Sequence, residues 1–317
     1  MVPPGLEVGP LAVLCGPTAI GKSEVAVPLA ERLGAEIVAA DSRTVYRGMD
    51  IGTAKPSAAL RARVPHHAID VAEPHEAFSV AEFQRLALAA IGEIRARGRL
   101  PLIVGGTGLY IRAVTDGLAF PPVPPDGLLR TRLEREVRTH GPAALHARLA
   151  ALDPAAAAAI HPHNVRRVIR ALEVVVHTGA PRPAVSPGPG AAVVMVGLCM
   201  ERAALYRRIA ARVEAQLAAG LVDETRRLLA AGVPLDRPSM QGLGYKEIAG
   251  WLRGAYGYEE AVRLLVRNTR RYAKRQLTWF RREPRLRWVD VTDAAADEVV
   301  ARVHGIMDRD LQALKEA

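Results

Sequence analysis

The chain is short of cysteine, of lysine, of aromatic residues and of long apolar runs, and each shortage closes off a class of protein. Of 317 residues only two are cysteine, Cys15 and Cys199, each inside an apolar stretch patterned as a strand. Two buried, reduced thiols are expected, not a disulfide scaffold or a thiolate metal site. Histidine offers no metal site either: His66-His67 and His161-Pro162-His163 have no Cys or acidic partners at ligand spacing. No stretch approaches the ~18 uninterrupted apolar residues of a membrane span. The first ten residues, MVPPGLEVGP, have neither the basic start nor the apolar centre of a signal peptide. A cytoplasmic location without membrane contact is therefore the expectation, and a composition that is 50% apolar can bury one large core or two smaller ones.

The net charge of +10 is carried by arginine, since the chain has only five lysines. Such an excess also follows from genomic base composition, so its distribution says more than its total. Between Arg263 and Arg287 lie ten basic residues and one Glu, with Tyr272, Trp279 and Phe280 interleaved. So dense a run of one sign repels itself unless an anion is nearby, which favours a nucleic-acid or phosphate contact over a solvated helix face.

What is present, near the start, is a phosphate loop. An apolar run from Leu11 to Leu14 leads into Gly16-Pro17-Thr18-Ala19-Ile20-Gly21-Lys22-Ser23, a full match to G-x-x-x-x-G-K-[ST], with a helical segment after it. Gly16 and Gly21 permit backbone conformations closed to other residues, so successive N–H groups turn inward around phosphate oxygens. The helix from Lys22 aims its positive end at the same anion. Lys22 adds a full charge, and the Ser23 hydroxyl is placed to ligate a Mg²⁺ that bridges phosphates. The loop alone does not say which group leaves with the pyrophosphate.

Strand and helix patterns alternate through the first third. Strands are predicted at Leu11 to Cys15, Glu36 to Ala40, His67 to Val71 and Pro101 to Val104, and helices at Lys22 to Leu33, Ser79 to Arg97 and Leu109 to Thr115. Ser79 and Glu82 form a capping box, and Gly98 supplies a stop. After the Pro-rich FPPVPP, helical patterns alone follow: Leu128 to Thr139, Pro142 to Ala151, Pro154 to Ile160 and Val165 to His177. A Pro/Gly-rich stretch, GAPRPAVSPGPGA, closes the segment as an expected mobile loop, and AAVVMVGLCM returns to strand pattern. Helices at Arg202 to Ala219, Val222 to Ala231, Glu259 to Arg282 and Ala294 to Lys315 and a strand at Leu286 to Val291 complete the reading. The predicted class is α/β: a P-loop NTPase-like parallel sheet flanked by helices (1–120 and 191–317), interrupted by an all-helical insertion domain (121–190).

Asp41 ends the second strand. No carboxylate closes PLIVGG, the strand where a Walker-B residue would stand, so Asp41 has work open to it. It could orient metal-bound water, accept a proton from a nucleophile, or simply make a turn. Thr107, in Gly105-Gly106-Thr107-Gly108, could donate into the site, cap the following helix, or both. Arg166, Arg167 and Arg170 share one helix, with Arg166 and Arg170 on one face, where they could grip phosphates or bond acidic neighbours.

Taken in order, the loop at 16–23, Asp41-Ser42 with YRGMDIGTAKP, HHAIDV, FSVAEF, VGGTGLY, NVRRVIRALEV, QGLGYKE and NTRRYAKRQLTWFRR resemble the tRNA dimethylallyltransferases, the tRNA isopentenyltransferase family. Adenylate isopentenyltransferases share the front motifs. The resemblance implies transfer of a dimethylallyl group from dimethylallyl diphosphate to the exocyclic amine of the adenosine 3′ to the anticodon, in tRNAs reading codons that begin with U. It assigns Asp41 as general base, Thr107 as a partner near the reacting centre, residues 16–23 with Lys22 to the diphosphate, and Arg226 to the same group. It implies tRNA contacts at Asp41, Ser42, Arg43, Thr44, Thr107, Arg130, Arg166, Arg167 and Arg170, and the helical insertion would grip the anticodon stem. Arg270, Arg271 and Lys274 belong to the basic helix that would support it from the other side. Mg²⁺ on Ser23 is the one metal implied; the last segment has no Cys, so no zinc is expected, and a monomer is. The rival readings are a P-loop small-molecule kinase and a nucleotide-regulated RNA-binding protein; neither accounts for both Asp41 and the arginine-rich helices.

Overall fold

The computed structural model describes residues 10–121, 123–181 and 192–316. In chain order these form β1 (Leu11–Cys15), α1 (Lys22–Leu33), β2 (Ala35–Ala40), α2 (Ala58–Arg63), β3 (His66–His67), α3 (Val80–Ala96), β4 (Leu100–Gly105) and α4 (Gly108–Thr115). Then come α5 (Gly127–Leu152), α6 (Pro154–Ala159), α7 (Val165–Thr178), β5 (Val193–Cys199), α8 (Arg202–Ala218), α9 (Leu221–Ala230), α10 (Tyr245–Leu252), α11 (Tyr258–Phe280), β6 (Leu286–Asp290) and α12 (Ala296–Glu316). The described residues fall into two compact units, 10–117 with 192–316, and 118–181.

The first unit is an α/β core around one sheet of order β3-β2-β4-β1-β5-β6, in which every pairing is parallel. Its four central strands, β2, β4, β1 and β5, are buried on both faces, as helix-covered parallel strands are, and their side chains alternate between two cores. Leu11, Val13 and Cys15 pack with α3, α4, α10 and α11, whereas Ala12 and Leu14 pack with α1, α8 and α12. Burial pushes the Cys15 thiol up to about 12, so it is an inert core residue, and Cys199 is only half-buried at the end of β5.

Register does the work of bringing the loops together. Cys15 pairs with Gly105, and Gly105 with Ala40, so the three adjacent strands β1, β4 and β2 end level with one another. The residues that leave them at that level are Gly16, Gly106 and Asp41. Crevices outside the carboxyl ends of such strands are where ligands bind in this class of fold.

The predicted strand at His67 to Val71 shrinks to His66–His67, because Ala68 (φ 62) and Asp70 (φ 56) take left-handed conformations that turn the chain out of the ladder. The capping box at Ser79 and Glu82 is present in both directions. α2 and α10 were not foreseen.

The second unit is helical. α5 breaks at Gly141 (φ 80, ψ 166), directly before Pro142, so it is two helices end to end. Leu133, Leu145, Leu149, Val168, Ile169 and Leu172 form its core. Residue 122 of the FPPVPP connection and residues 182–191 of the expected loop lie outside the described residues. Among the described residues, no helix is long and apolar enough to cross a membrane.

Candidate active site

Gly21 caps the N-terminus of α1 at φ 98, a conformation that suits glycine, and lets the loop close over the first turn of the helix. Lys22 Nζ donates to the carbonyls of Gly16 (3.0 Å) and Pro17 (2.8 Å), stapling the loop in a ring. Burial lowers the Lys22 ammonium to about 8, against the Asp41 charge, which raises it; Arg212 lowers it further.

Loop residues Thr18, Ala19, Gly21, Lys22 and Ser23 line a cavity of about 750 Å³ that they share with Asp41, Thr44, Arg208, Arg212 and Gln276. Ile37, Leu60, Ile69 and Val104 give the same cavity an apolar wall. It therefore offers cationic groups (Lys22, Lys55, Arg208 and Arg212), the carboxylates of Glu24, Asp41 and Asp50, and an apolar surface together, a set suited to a small anion with a hydrocarbon part.

Asp41 accepts the backbone N–H of Arg43 at 2.8 Å, so it does make a turn, yet it still faces the cavity. Thr107 stands at the start of α4 but makes no side-chain cap; its Oγ1 accepts the Ser42 N–H at 3.1 Å and so joins the loops after β4 and β2. Burial first, and then the Asp41 charge, push the Tyr272 hydroxyl up to about 12, while the neighbouring Thr107 side chain acts in the opposite direction. Thr44 is buried, and Arg43 donates to the carbonyl of Pro238.

Several expected residues stand elsewhere. Arg226 is on the exposed side of α9, where its guanidinium pairs with Asp223 at 2.8 Å, and it does not line the cavity. The arginines that do are Arg208 and Arg212 of α8; burial lowers the Arg212 guanidinium, while Asp41 and then Glu24 raise it. Thr18 lines the cavity, but its N–H is taken by Gln276 Oε1 at 2.8 Å and cannot also serve a phosphate. Arg130 and Arg170 both grip the fully buried Glu173, at 2.8 and 2.5 Å, which makes them part of the helical unit's own framework. Arg166 and Arg167 are exposed on α7. Arg270, Arg271 and Lys274 line a groove on α11 with Arg263, Arg267 and Tyr206, and the Arg270 guanidinium lies 5.0 Å from the Tyr206 ring centroid.

The donor set fits a phosphate-bridging magnesium ion better than a protein-only cage. Among the described residues, no cluster of three or more His, Cys, Asp or Glu side chains is placed to hold a metal. Magnesium on a diphosphate needs only one or two protein oxygens beside phosphate and water, and Ser23 and Asp41 both open on the cavity.

Residues 44–283 match the family described as IPP transferase, and residues 9–63 that described as isopentenyl transferase. A tRNA dimethylallyltransferase of Symbiobacterium thermophilum is 52% identical over 300 residues, covering 92% of this chain and 94% of the relative. The chain belongs to the tRNA dimethylallyltransferase family. A second family member, from Pelotomaculum thermopropionicum, is 50% identical over 92% of this chain and 94% of its own length. The crystal structure of the full-length tRNA isopentenylpyrophosphate transferase from Bacillus halodurans superposes with a TM-score of 0.75 at 47% identity, covering 98% and 99% of the two chains. A eukaryotic dimethylallyltransferase acting on tRNA shares the fold, with a TM-score of 0.82 at 24% identity over 96% of this chain and 80% of its own.

Proposed function

We propose that this chain transfers the dimethylallyl group of dimethylallyl diphosphate to the exocyclic amine of an adenosine in tRNA, releasing diphosphate. The observation that carries the reading is the alignment of β1, β4 and β2, which brings a phosphate loop and Asp41 to one partly apolar cavity, with Thr107 bracing the Asp41-Ser42 turn, in a chain that matches the family along its length.

The adenine amine is a weak nucleophile because its lone pair is delocalised into the ring. Asp41 accepts the proton it sheds as its nitrogen bonds to the first carbon of the prenyl group, and a positioned base of this kind contributes about 10²–10⁴-fold. The bond from that carbon to the diphosphate oxygen breaks, and its electron pair leaves with the diphosphate. Lys22, Arg212 and the N–H groups at the start of α1 stabilise the charge that grows there. Ser23 would hold the magnesium ion, which supplies further positive charge to the leaving group when bound. Ile37, Leu60, Ile69 and Val104 receive the hydrocarbon and keep water from competing with the amine. Thr107 keeps the Asp41-Ser42 turn in place.

A base stacked in an anticodon loop is out of reach and must be turned outward, at a cost of a few kcal/mol. The target that the family resemblance implies is the adenosine 3′ to the anticodon in tRNAs reading codons that begin with U, which lies in a single-stranded loop, the kind of RNA that proteins read base by base. Ser42, Arg43 and Thr44 lie beside the base, and Arg166, Arg167, Arg270, Arg271 and Lys274 supply phosphate contacts. The protein acts as a cytoplasmic monomer. Incubation with labelled dimethylallyl diphosphate, unmodified tRNA and Mg²⁺, followed by nuclease mapping, tests the reading. Label on that one adenosine supports it; label transfer from ATP γ-phosphate with none from the prenyl donor overturns it.

A further inference from the structure

The basic helix α11 has two working faces. Its outer face carries Arg270, Arg271 and Lys274 on the groove with Tyr206. Its inner face carries Tyr272, Gln276 and Trp279, spaced by four and three residues and therefore one above another. Tyr272 and Trp279 meet the loop after β4, and Gln276 meets both that loop and the phosphate loop. Tyr272 lies beside Thr107, and the Trp279 indole lies so close to Gly108 that a Cβ there would sit 2.1 Å from its nitrogen.

Gln276 does the most. It is 5% exposed, accepts the Thr18 N–H at 2.8 Å and donates from Nε2 to the Gly106 carbonyl at 2.9 Å. A Cβ on Gly106 would come within 2.3 Å of that nitrogen, so glycine is what admits the amide. The next residue in the phosphate loop, Ala19, is held at φ 63, a left-handed conformation that a non-glycine residue keeps only when its surroundings enforce it. Gln276 thus fixes the loop's outline from outside, consuming one of its donors to aim the others before any ligand arrives. The side-chain amide supplies an acceptor oxygen for Thr18 and a separate N–H donor for Gly106 at once.

We propose that Gln276 is a positioning residue for the diphosphate loop, presented by the same helix that carries the basic groove. The inference rests on residues 16–23 being the diphosphate cradle. Its test is calorimetric titration of the full chain with inorganic pyrophosphate and Mg²⁺, for wild type, Gln276→Met and Gln276→Glu. Met keeps the shape and makes neither bond; Glu keeps the Thr18 bond, cannot donate to Gly106, and guards against a variant that merely fails to fold. Pyrophosphate affinity is expected to fall about tenfold in Gln276→Met, the size of a buried hydrogen-bonded amide's contribution. It should fall further in Gln276→Glu, which adds a negative charge beside the anion. KM for dimethylallyl diphosphate should rise in step, with kcat changing less than KM and tRNA affinity unchanged. Variants that bind pyrophosphate like wild type, or that lose pyrophosphate and tRNA affinity in parallel, overturn the assignment. A wild type that binds pyrophosphate yet never uses the prenyl donor would defeat the proposed function and leave the Gln276 result readable.

Discussion

Thr107 Oγ1 accepts the Ser42 N–H at 3.1 Å, a bond that spans two strand ends and holds the Asp41 turn against the loop after β4. Thr107→Val keeps the volume and removes the acceptor, leaving a partly buried N–H unpaired at a cost of about 1–3 kcal/mol. The expected outcome is a fall in kcat of roughly tenfold or more, with Thr107→Ser close to wild type. Steady-state kinetics at saturating tRNA reads this directly, and equal activity of the Val and Ser variants would remove the role.

Lys22 supplies a pH signature. Burial brings its ammonium from 10.5 to about 8, so above that pH the free site increasingly meets its anion uncharged. A bound diphosphate favours the charged form, so binding at about pH 9 must take up a proton. Titrations in buffers of different ionisation enthalpy should reveal that uptake, and kcat/KM for the donor should decline above about 8. The stability sign runs the other way: the unfolded chain holds more protons on this lysine between about 8 and 10.5, so folding is favoured as pH rises through that window. Unfolding is not the cause of the decline. Lys22→Met should abolish the proton uptake.

Two arginines separate geometry from pattern. Arg212 lines the cavity, and Arg226 pairs with Asp223 on the solvent side of α9. Arg212→Ala should raise the donor KM by about one to two orders of magnitude, the scale of a charge-assisted contact of about 1.5–3 kcal/mol. Arg226→Ala should change it by less than about twofold, as exposed ion pairs contribute little. The reverse order would return the diphosphate role to Arg226.

Glu173 anchors the helical unit. Its fully buried carboxylate accepts from Arg130, Arg170 and the Asp126 N–H. Burial raises its pKa, but these partners outweigh that and hold it below the ordinary 4.5. The stabilisation is therefore present above 4.5 and lost as pH falls through the lower folded value. Glu173→Ala leaves two arginines without their partner and should cost about 3 kcal/mol. Hydrogen exchange over α5 and α7 measures it, and unchanged protection would refute the anchoring role.

The phosphate loop and α1 were legible because a fixed motif dictates backbone and side chain together, and α1 begins and ends where the sequence places it, at Lys22 and Leu33. Asp41 and Thr107 were legible as polar residues ending apolar runs, since strand ends in a parallel sheet converge. Arg212 was not. It sits among Arg207, Arg208 and Arg202 on one helix, and only the packing of α8 decides which of these meets the cavity. Gln276 was hidden for the same reason, inside a basic run whose charge drew attention outward. α2 buries no residue, so its Ser57 N-cap had no apolar period behind it, and α10 follows a glycine N-cap, a weaker start signal than Ser, Thr, Asp or Asn.

The most direct measurement is single-turnover transfer from radiolabelled dimethylallyl diphosphate to an unmodified anticodon stem-loop, run in parallel for wild type and Asp41→Asn, with donor and RNA affinities measured for both. The expected result is that wild type moves the label to one adenosine, while Asp41→Asn binds both substrates within about threefold of wild type and reacts about 10²–10⁴-fold more slowly. Equal rates for the two proteins, or a wild type that leaves the label on the diphosphate, would contradict it.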